Sequence, residues 1–316
     1  MNVSPAGAGS GPVVGGSCRV RVPATTANLG PGFDCLGMAL DLWNDVRFTL
    51  EGEDVVVSVE GPHATGLPAG RGNLVARAYL RLCEAAGAPE PAGLRIEAAV
   101  RVPTASGLGS SSTAIVAGLL GANTLLGRPL DTQRVLELAA EMEGHPDNVA
   151  AALLGGLTIV VQKDDRLLTK KILVPGVHVA VVVPDVVVNT RSARADLPAQ
   201  VSMKDAVFNL QRTPLVVEAL RTGDYGLLSQ VMDDRLHQAA RLKLVPGGRT
   251  AWAAAQAAGA AAIAISGSGP SLVAFVRLAA DATRVAHAMV DAFAAEGIAA
   301  IPLSLSASAA GATVAA

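Results

Sequence analysis

Pro103-Thr104-Ala105-Ser106-Gly107-Leu108-Gly109-Ser110-Ser111-Ser112-Thr113 is the stretch on which the fold of this chain turns. It stands between a strand-like run and a long apolar one, and it reads as a turn that opens a helix. Gly107 and Gly109 flank Leu108 and allow both a positive φ and a close approach of the backbone to a ligand, while the serines bring hydroxyls to the helix start. The first N–H groups of a helix lack internal partners and lie at the positive end of its dipole, so such a turn cradles an anion, a polyphosphate for example. Two better-known glycine loops are excluded. A Walker loop has lysine after its last glycine, where this chain has Ser110, and a dinucleotide fingerprint has a third glycine where this chain has Ser112. Taken alone, the stretch also reads as a serine-rich loop with a helix cap.

Its neighbours narrow the choice. Upstream, Leu94, Ile96, Ala98, Val100 and Val102 alternate as in a strand that feeds the turn. Downstream, Ile115, Leu119, Leu120 and Leu126 predict a helix over 111–126, closed by Gly127 and Pro129. Asp131 caps a second helix, with Leu130 and Val135 as a hydrophobic staple, and this helix runs to Glu143 and stops at Gly144-His145-Pro146-Asp147-Asn148. Small residues then lead to a strand over 157–162, a hairpin tip at 163–166 and an apolar strand over 177–183 that reads as buried on both faces.

Earlier in the chain, Arg19, Val20, Arg21 and Val22 alternate as a half-buried strand that delivers Ala24-Thr25-Thr26-Ala27-Asn28-Leu29-Gly30-Pro31-Gly32-Phe33-Asp34. A loop so rich in turn-forming and polar residues positions something. Strands are expected over 45–50 and 55–60, and Asn73 caps a helix over 74–86. The second half offers helices over 202–222, 225–234 and 249–258, a strand pair flanking Ser266-Gly267-Ser268-Gly269-Pro270-Ser271, and a last helix over 281–296. Strands and helices mix without strict alternation, so the expected class is α+β.

The 316 residues suggest about two domains. The expected division is a flexible tail over 1–17, one domain over 18–172 and another over 173–316. Aromatics make up 3% of the chain, so the cores must be built of Val, Leu, Ile and Ala. A formal net charge of −2 gives no footprint for nucleic acid or an acidic membrane. Cys18, Cys35 and Cys83 are odd in number and widely spaced, which reads as free thiols in a reducing cytosol. No secretory signal pattern opens the chain, and the alanine-rich stretch over 250–265 is broken by Gln256 and Gly259, so a soluble cytoplasmic protein is expected.

Three stretches, 25–34, 103–112 and 266–271, resemble in order and spacing the three signature motifs of the superfamily of galactokinase, homoserine kinase, mevalonate kinase and phosphomevalonate kinase, the GHMP kinases. With Glu143-Gly144-His145-Pro146-Asp147-Asn148 they are similar to its homoserine kinase branch, over nearly the whole chain. The resemblance implies a two-domain α+β GHMP kinase fold with the active site in the cleft between the domains. It implies ATP and Mg2+ as cofactors and phosphoryl transfer to the side-chain hydroxyl of L-homoserine in threonine biosynthesis. Another small-alcohol kinase and an inactive ligand-binding homologue are the alternative readings. Small-molecule substrates are the expected partners, a homodimer is compatible with the sequence, and neither nucleic acid nor membrane is expected.

The nucleotide is assigned to Pro103, Thr104, Ala105, Ser106, Gly107, Leu108, Gly109, Ser110, Ser111, Ser112 and Thr113. Asn73 either reaches the nucleoside, as the resemblance implies, or is a plain helix cap. Gly109→Val is expected to weaken ATP binding with the fold largely intact. An amino-acid substrate is a zwitterion and needs a planar cation for its carboxylate and an acceptor for its ammonium. By resemblance Arg194 and Arg241 take the carboxylate, Asn28 and Asp34 the ammonium and the reacting hydroxyl, and His145 a further hydrogen bond. Asp147 matches the position of the mevalonate kinase base, but phosphoryl transfer depends mainly on charge neutralisation and positioning, so whether a base exists stays open. Asn148 reads equally as a turn residue. Glu141 and Glu143 both lie in a helix's last turn, where carboxylates oppose the dipole, so a cation is expected nearby. Glu143, with Ser111 among the helix-start hydroxyls, is the chosen metal ligand.

Overall fold

The computed structural model describes residues 16–164, 166–188 and 190–315. Most of the expected tail therefore lies outside the described residues, and Ser17 already belongs to the first strand. In order, the elements are β1 (Ser17–Ala27), β2 (Leu36–Thr49), β3 (Val55–Glu60), α1 (Leu74–Ala85), β4 (Leu94–Ala99), α2 (Ser110–Leu125), α3 (Thr132–Glu143), α4 (Asp147–Leu154), β5 (Leu157–Lys163), β6 (Arg166–Ile172) and β7 (His178–Pro184). There follow α5 (Thr190–Ala195), α6 (Met203–Thr222), α7 (Tyr225–Val231), α8 (Gln238–Leu242), α9 (Gly248–Ala257), β8 (Ala262–Ile265), β9 (Leu272–Val276), α10 (Ala279–Ala295), β10 (Ala300–Ser306) and β11 (Thr313–Ala315). The class is α+β, as expected.

The first sheet runs β11-β1-β2-β4-β3, with β5 on the other part of β2 and β6 beyond it; among the described residues only β3 and β4 pair in parallel. The second runs β10-β7-β9-β8, all antiparallel. β6 ends the first sheet's run at Ile172, β7 opens the second at His178, and β11 returns to pair with β1.

The alternation in β1 sends Cys18, Val20 and Val22 inward and Arg19 and Arg21 outward. Under the inward face lie α1 and α2. Phe48 stacks on Tyr79 with ring centroids 5.7 Å apart, and Gly118 and Gly121 let α2 approach closely: a Cβ on them would meet Val75 O at 2.3 Å and the Phe48 ring at 2.6 Å. Each such fully buried large side chain contributes about 1.5–3 kcal/mol. A second cluster joins Ala24, Leu29, Leu36 and Leu108 to Val179, Val181 and Phe275 of the second sheet, so the residues around the first two motifs pack on the far half of the chain. A third cluster lies between that sheet's other face and α9 and α10.

Three expectations are corrected. β2 begins at Leu36, not near residue 45, because its first half pairs with β5 and its second with β4. The small residues after Asn148 form α4, where Val149, Ala150 and Ala152 bury against the first core; alanines carry helix propensity that period alone does not reveal. β6 is the return strand of the expected hairpin, while β10, β11, α5 and α8 are further elements the pattern did not announce. Among the described residues the cysteines are unpaired, as expected, and burial pushes the Cys18 and Cys83 thiols up to about 11. No helix among the described residues is long and apolar enough to cross a membrane.

Candidate active site

The three glycine-bearing stretches are hydrogen-bonded to one another. Thr25 N–H donates to Leu108 O at 3.0 Å, Gly267 N–H to Ala27 O at 3.0 Å and Ser271 N–H to Ser106 O at 3.2 Å. Ser266 Oγ bonds both Thr26 Oγ1, at 2.9 Å, and Gly107 O, at 2.8 Å. Asn28, Asp34 and Ala105, all in these stretches, hold φ of 60°, 53° and 50°, a left-handed conformation that costs a non-glycine residue energy and gathers at functional sites.

This packing revises the role of the turn's glycines. Gly107 has φ +83°, and a Cβ there would fall 2.2 Å from Ser266 O; Gly109 has φ +69°, and a Cβ there would fall 2.0 Å from Thr25 Oγ1. Neither position tolerates a side chain even without ligand. The expectation that Gly109→Val leaves the fold largely intact is therefore corrected, since the variant would push motif against motif.

At the start of α2 the hydroxyls have partners. Ser111 Oγ and Ser112 Oγ both donate to Glu143 Oε1, the latter at 3.2 Å, while Thr113 Oγ1 donates to Ser110 O and accepts from Asn44 Nδ2 at 2.9 Å. Glu143 ends α3, but it also faces the N-terminus of α2, whose dipole and hydroxyls supply the compensation expected of a cation. Glu141 pairs instead with Arg81 at 3.2 Å and Arg134 at 3.0 Å, the ordinary fate of a helix-end glutamate.

Gly144 closes α3 in the left-handed conformation, and the chain turns at once into α4. Here Asp147, fully buried, accepts from its own neighbour's Asn148 N–H at 2.8 Å and lies 2.8 Å from His145 Nδ1. His145 Nε2 lies 3.8 Å from Glu143 Oε1. Burial lowers the imidazole's affinity for a proton, but the Asp147 hydrogen bond and charge, with Glu143 and Asp34 behind it, outweigh burial and raise its pKa. Asn148 is not a bare turn residue, because Thr25 Oγ1 donates to its Oδ1 at 2.7 Å.

Opposite the turn, Arg194 Nη2 donates to both oxygens of Asp34, at 2.7 and 2.8 Å. Asp34 is fixed in turn by its own N–H, which donates to Asn28 Oδ1 at 2.8 Å. Arg241 is buried, with 3% of its surface exposed, and its Nη1 donates to Gly267 O at 2.7 Å. Its Nε is buried with no hydrogen-bond partner. Burial is the leading reason its pKa falls, opposed by the charge of Asp34. His237 supports it: burial lowers the pKa of this imidazole, Nε2 lies 2.8 Å from Gly30 O, and Nδ1 faces Arg241 Nη1 at 3.3 Å. Sequence reasoning missed Phe33, whose ring lies under both arginines, 5.1 Å from Arg241 and 5.5 Å from Arg194, and stacks on His237. Its place inside the first motif was the available signal. His237 and Asn44 carried none.

One cavity of about 1000 Å³ joins these ends. It is lined by Asn28, Asp34, Asn73, Thr104 to Gly107, Gly109 to Ser111, Thr113, Glu143, His145, Asp147, Asn148, Arg194 and Arg241. Of the residues assigned from sequence, Pro103, Leu108 and Ser112 do not line it; Leu108 and Ser112 are wholly buried beneath the turn. Asn73 is a cap in fact, its Oδ1 accepting from Val75 N–H at 2.9 Å and its Nδ2 donating to Pro68 O at 2.8 Å. Among the described residues no group of three or more His, Cys, Asp or Glu side chains is arranged to hold a metal.

Two family models match the chain, the GHMP kinases N terminal domain over residues 73–156 and the GHMP kinases C terminal over 216–295. Homoserine kinase of Moorella thermoacetica is 42% identical over 88% of this chain and 93% of its own length, and that of Desulfitobacterium hafniense is 44% identical over 94% and 99%. Among solved structures, homoserine kinase from Cytophaga hutchinsonii superposes with a TM-score of 0.84 at 33% identity, covering 95% of this chain and 97% of that one. Mevalonate kinase of L. major, at 18% identity and a TM-score of 0.71 over 94% of this chain and 98% of that one, shares the fold. The chain belongs to the homoserine kinase family of the GHMP kinases.

Proposed function

We propose that this protein transfers the γ-phosphoryl group of ATP to the side-chain hydroxyl of L-homoserine, forming O-phospho-L-homoserine and ADP. The observation that carries the reading is a single cavity with an anion cradle at one end and, at the other, a buried guanidinium with an unpartnered Nε beside a carboxylate. A buried guanidinium is costly without a nearby negative charge, and a substrate carboxylate in the cavity that Arg241 lines would add one. The L-homoserine carboxylate is assigned to Arg241 and Arg194 and its ammonium to Asp34, which would exchange part of the Arg194 pairing for the substrate. Asn28 Oδ1 is committed to Asp34, which leaves its Nδ2 for the reacting hydroxyl.

At the other end the open N–H groups of α2 and its turn receive the nucleotide phosphates. The donor set fits Mg2+: Glu143 Oε1 and the Ser111 hydroxyl already meet, and a magnesium ion asks for one or two protein oxygens, with phosphate and water in its other positions. When bound, Mg2+ neutralises charge on the transferring phosphoryl group. Asp147 is proposed to take the hydroxyl proton, with His145 holding its carboxylate in place. The free thiols fit a cytoplasmic site of action. An ADP-release assay with ATP, Mg2+ and, in turn, homoserine, mevalonate, shikimate and galactose tests the reading. Release with homoserine supports it, release with another alcohol alone reassigns the substrate, and no release with any is the result of an inactive homologue.

A further inference from the structure

On the outer face of the first sheet, away from the cleft, three arginines converge on one carboxylate. Arg19 Nη2 and Arg21 Nε reach Asp45 Oδ1 at 3.0 and 3.3 Å, and Arg101 Nη1 reaches Asp45 Oδ2 at 3.0 Å. Arg21 also lies over the Trp43 ring, 5.1 Å from its centroid, and Arg101 Nη1 lies 3.4 Å from Trp43 O. With Asp41 and Leu42 these residues line a separate pocket of about 390 Å³. Asp41 is committed elsewhere, its Oδ1 accepting from Ser306 N–H at 2.7 Å.

Each guanidinium carries five N–H donors, and one carboxylate offers about four lone-pair positions. Three guanidiniums around Asp45 are therefore held in place while most of their donors remain uncommitted, and the local charge stays positive even with Asp41 counted. Arg47 stands directly across from Arg19 in the ladder, and Glu97 faces it from β4, so this further pair leaves the excess unchanged. A fork of guanidiniums matches tetrahedral oxyanions better than any other side-chain arrangement, and their prior alignment lowers the entropy of capture.

We propose that this pocket is a second anion site, built for the phosphoryl dianion of a small phosphate compound and distinct from the catalytic cleft. Strand alternation keeps the two apart and in contact. Trp43 and Asp45 face the pocket, while Asn44 between them lines the cleft, accepts from Arg101 and Val102 N–H at 2.8 and 2.9 Å and holds Thr113 at the start of α2.

The chain has two tryptophans, so a Trp252→Phe protein leaves Trp43 as the only indole, beside the proposed site. Its emission is followed during titration with inorganic phosphate and, separately, with ethyl phosphate, at ionic strength held constant with chloride. The proposal expects a saturable change, with the tighter of the two probes telling free phosphate from a phosphate ester. Arg19→Gln and Arg101→Gln, both on half-exposed arginines, are expected to weaken it roughly tenfold or more each while the thermal unfolding midpoint stays near the parent's. No saturable change by tens of millimolar of either probe overturns the proposal. So does a response that persists unaltered in both variants, which would mean that Trp43 senses phosphate at the glycine turn.

Discussion

Arg194 spans both carboxylate oxygens of Asp34 through a single nitrogen, Nη2, and the pair stands over the Phe33 ring beside buried Arg241. Asp34 and Arg194 are 160 positions apart in sequence and come from opposite halves of the chain. Each carries the charge that one end of a zwitterion calls for, and in the structure each satisfies the other. The two arginines differ in a way that separates binding from stability. Arg194, with 44% of its side chain exposed, is held by this pair and by the Phe33 ring, whereas Arg241 is buried and also satisfies Gly267 O in the core.

Arg194→Ala should raise KM for homoserine by roughly tenfold, the lower end of the range of about 1.5–3 kcal/mol for a charged hydrogen bond, because solvent screens an exposed pair. Its thermal midpoint should stay near the parent's. Arg241→Ala should raise KM more and also lower the midpoint, since it strands Gly267 O. Steady-state kinetics and a thermal melt of both variants check this, and equal midpoints would remove Arg241 from the core's hydrogen bonding.

Glu143→Gln should depress kcat and raise the magnesium requirement, because the carboxylate facing the α2 hydroxyls loses its charge. Glu141→Gln should change neither, since its partners are Arg81 and Arg134. Magnesium titrations of the two variants that overlay the parent would leave the metal to nucleotide and serines.

His145 should titrate above a free imidazole, and Asp147→Asn should bring it down. For a group whose folded pKa is raised, the stabilisation is complete below the unfolded value, about 6.5, and is lost as pH rises through the folded value. His237, lowered chiefly by burial, acts in the opposite sense and costs stability as pH falls below the unfolded value. Histidine-resolved NMR titration of parent and Asp147→Asn checks the order.

Gly109→Ala should destabilise the fold by 1 kcal/mol or more, roughly the cost of a Cβ in the left-handed conformation with contact strain added. Thr25→Ala in the same chain should return part of the loss, as the colliding hydroxyl is then gone. Chemical unfolding of the single and double variants reads this, and an additive double variant would mean that Thr25 is not what Gly109 avoids.

The turn and its helix were legible because each obeys a local rule, whereas Arg194 and Arg241 were singled out only through the resemblance of their surroundings. Glycines mark a tight approach, Asn73 and Asp131 cap, and the alternation of β1 and β4 is uninterrupted. What escaped was decided by distant partners. β2 is twice as interesting to the fold as its own pattern suggests because β5, more than a hundred positions later, pairs with its first half. Helix α4 is nearly all buried, so it has no polar face to betray its period. The reason for Gly107 and Gly109 was read as ligand approach because the neighbours that forbid a side chain, Ser266 and Thr25, belong to the other two motifs.

The proposed reaction requires the Asp34, Arg194 and Arg241 end to read a zwitterion and the glycine turn to supply the phosphate cradle. Its most direct measurement is kcat/KM for L-homoserine against 4-hydroxybutyrate, which lacks the ammonium, and 3-aminopropan-1-ol, which lacks the carboxylate, with the phosphorylated product identified by mass. The expected result is O-phospho-L-homoserine as the product and at least a roughly tenfold loss of kcat/KM for each truncated alcohol. Turnover of either truncated alcohol at the rate of L-homoserine, or none of L-homoserine itself, would contradict it.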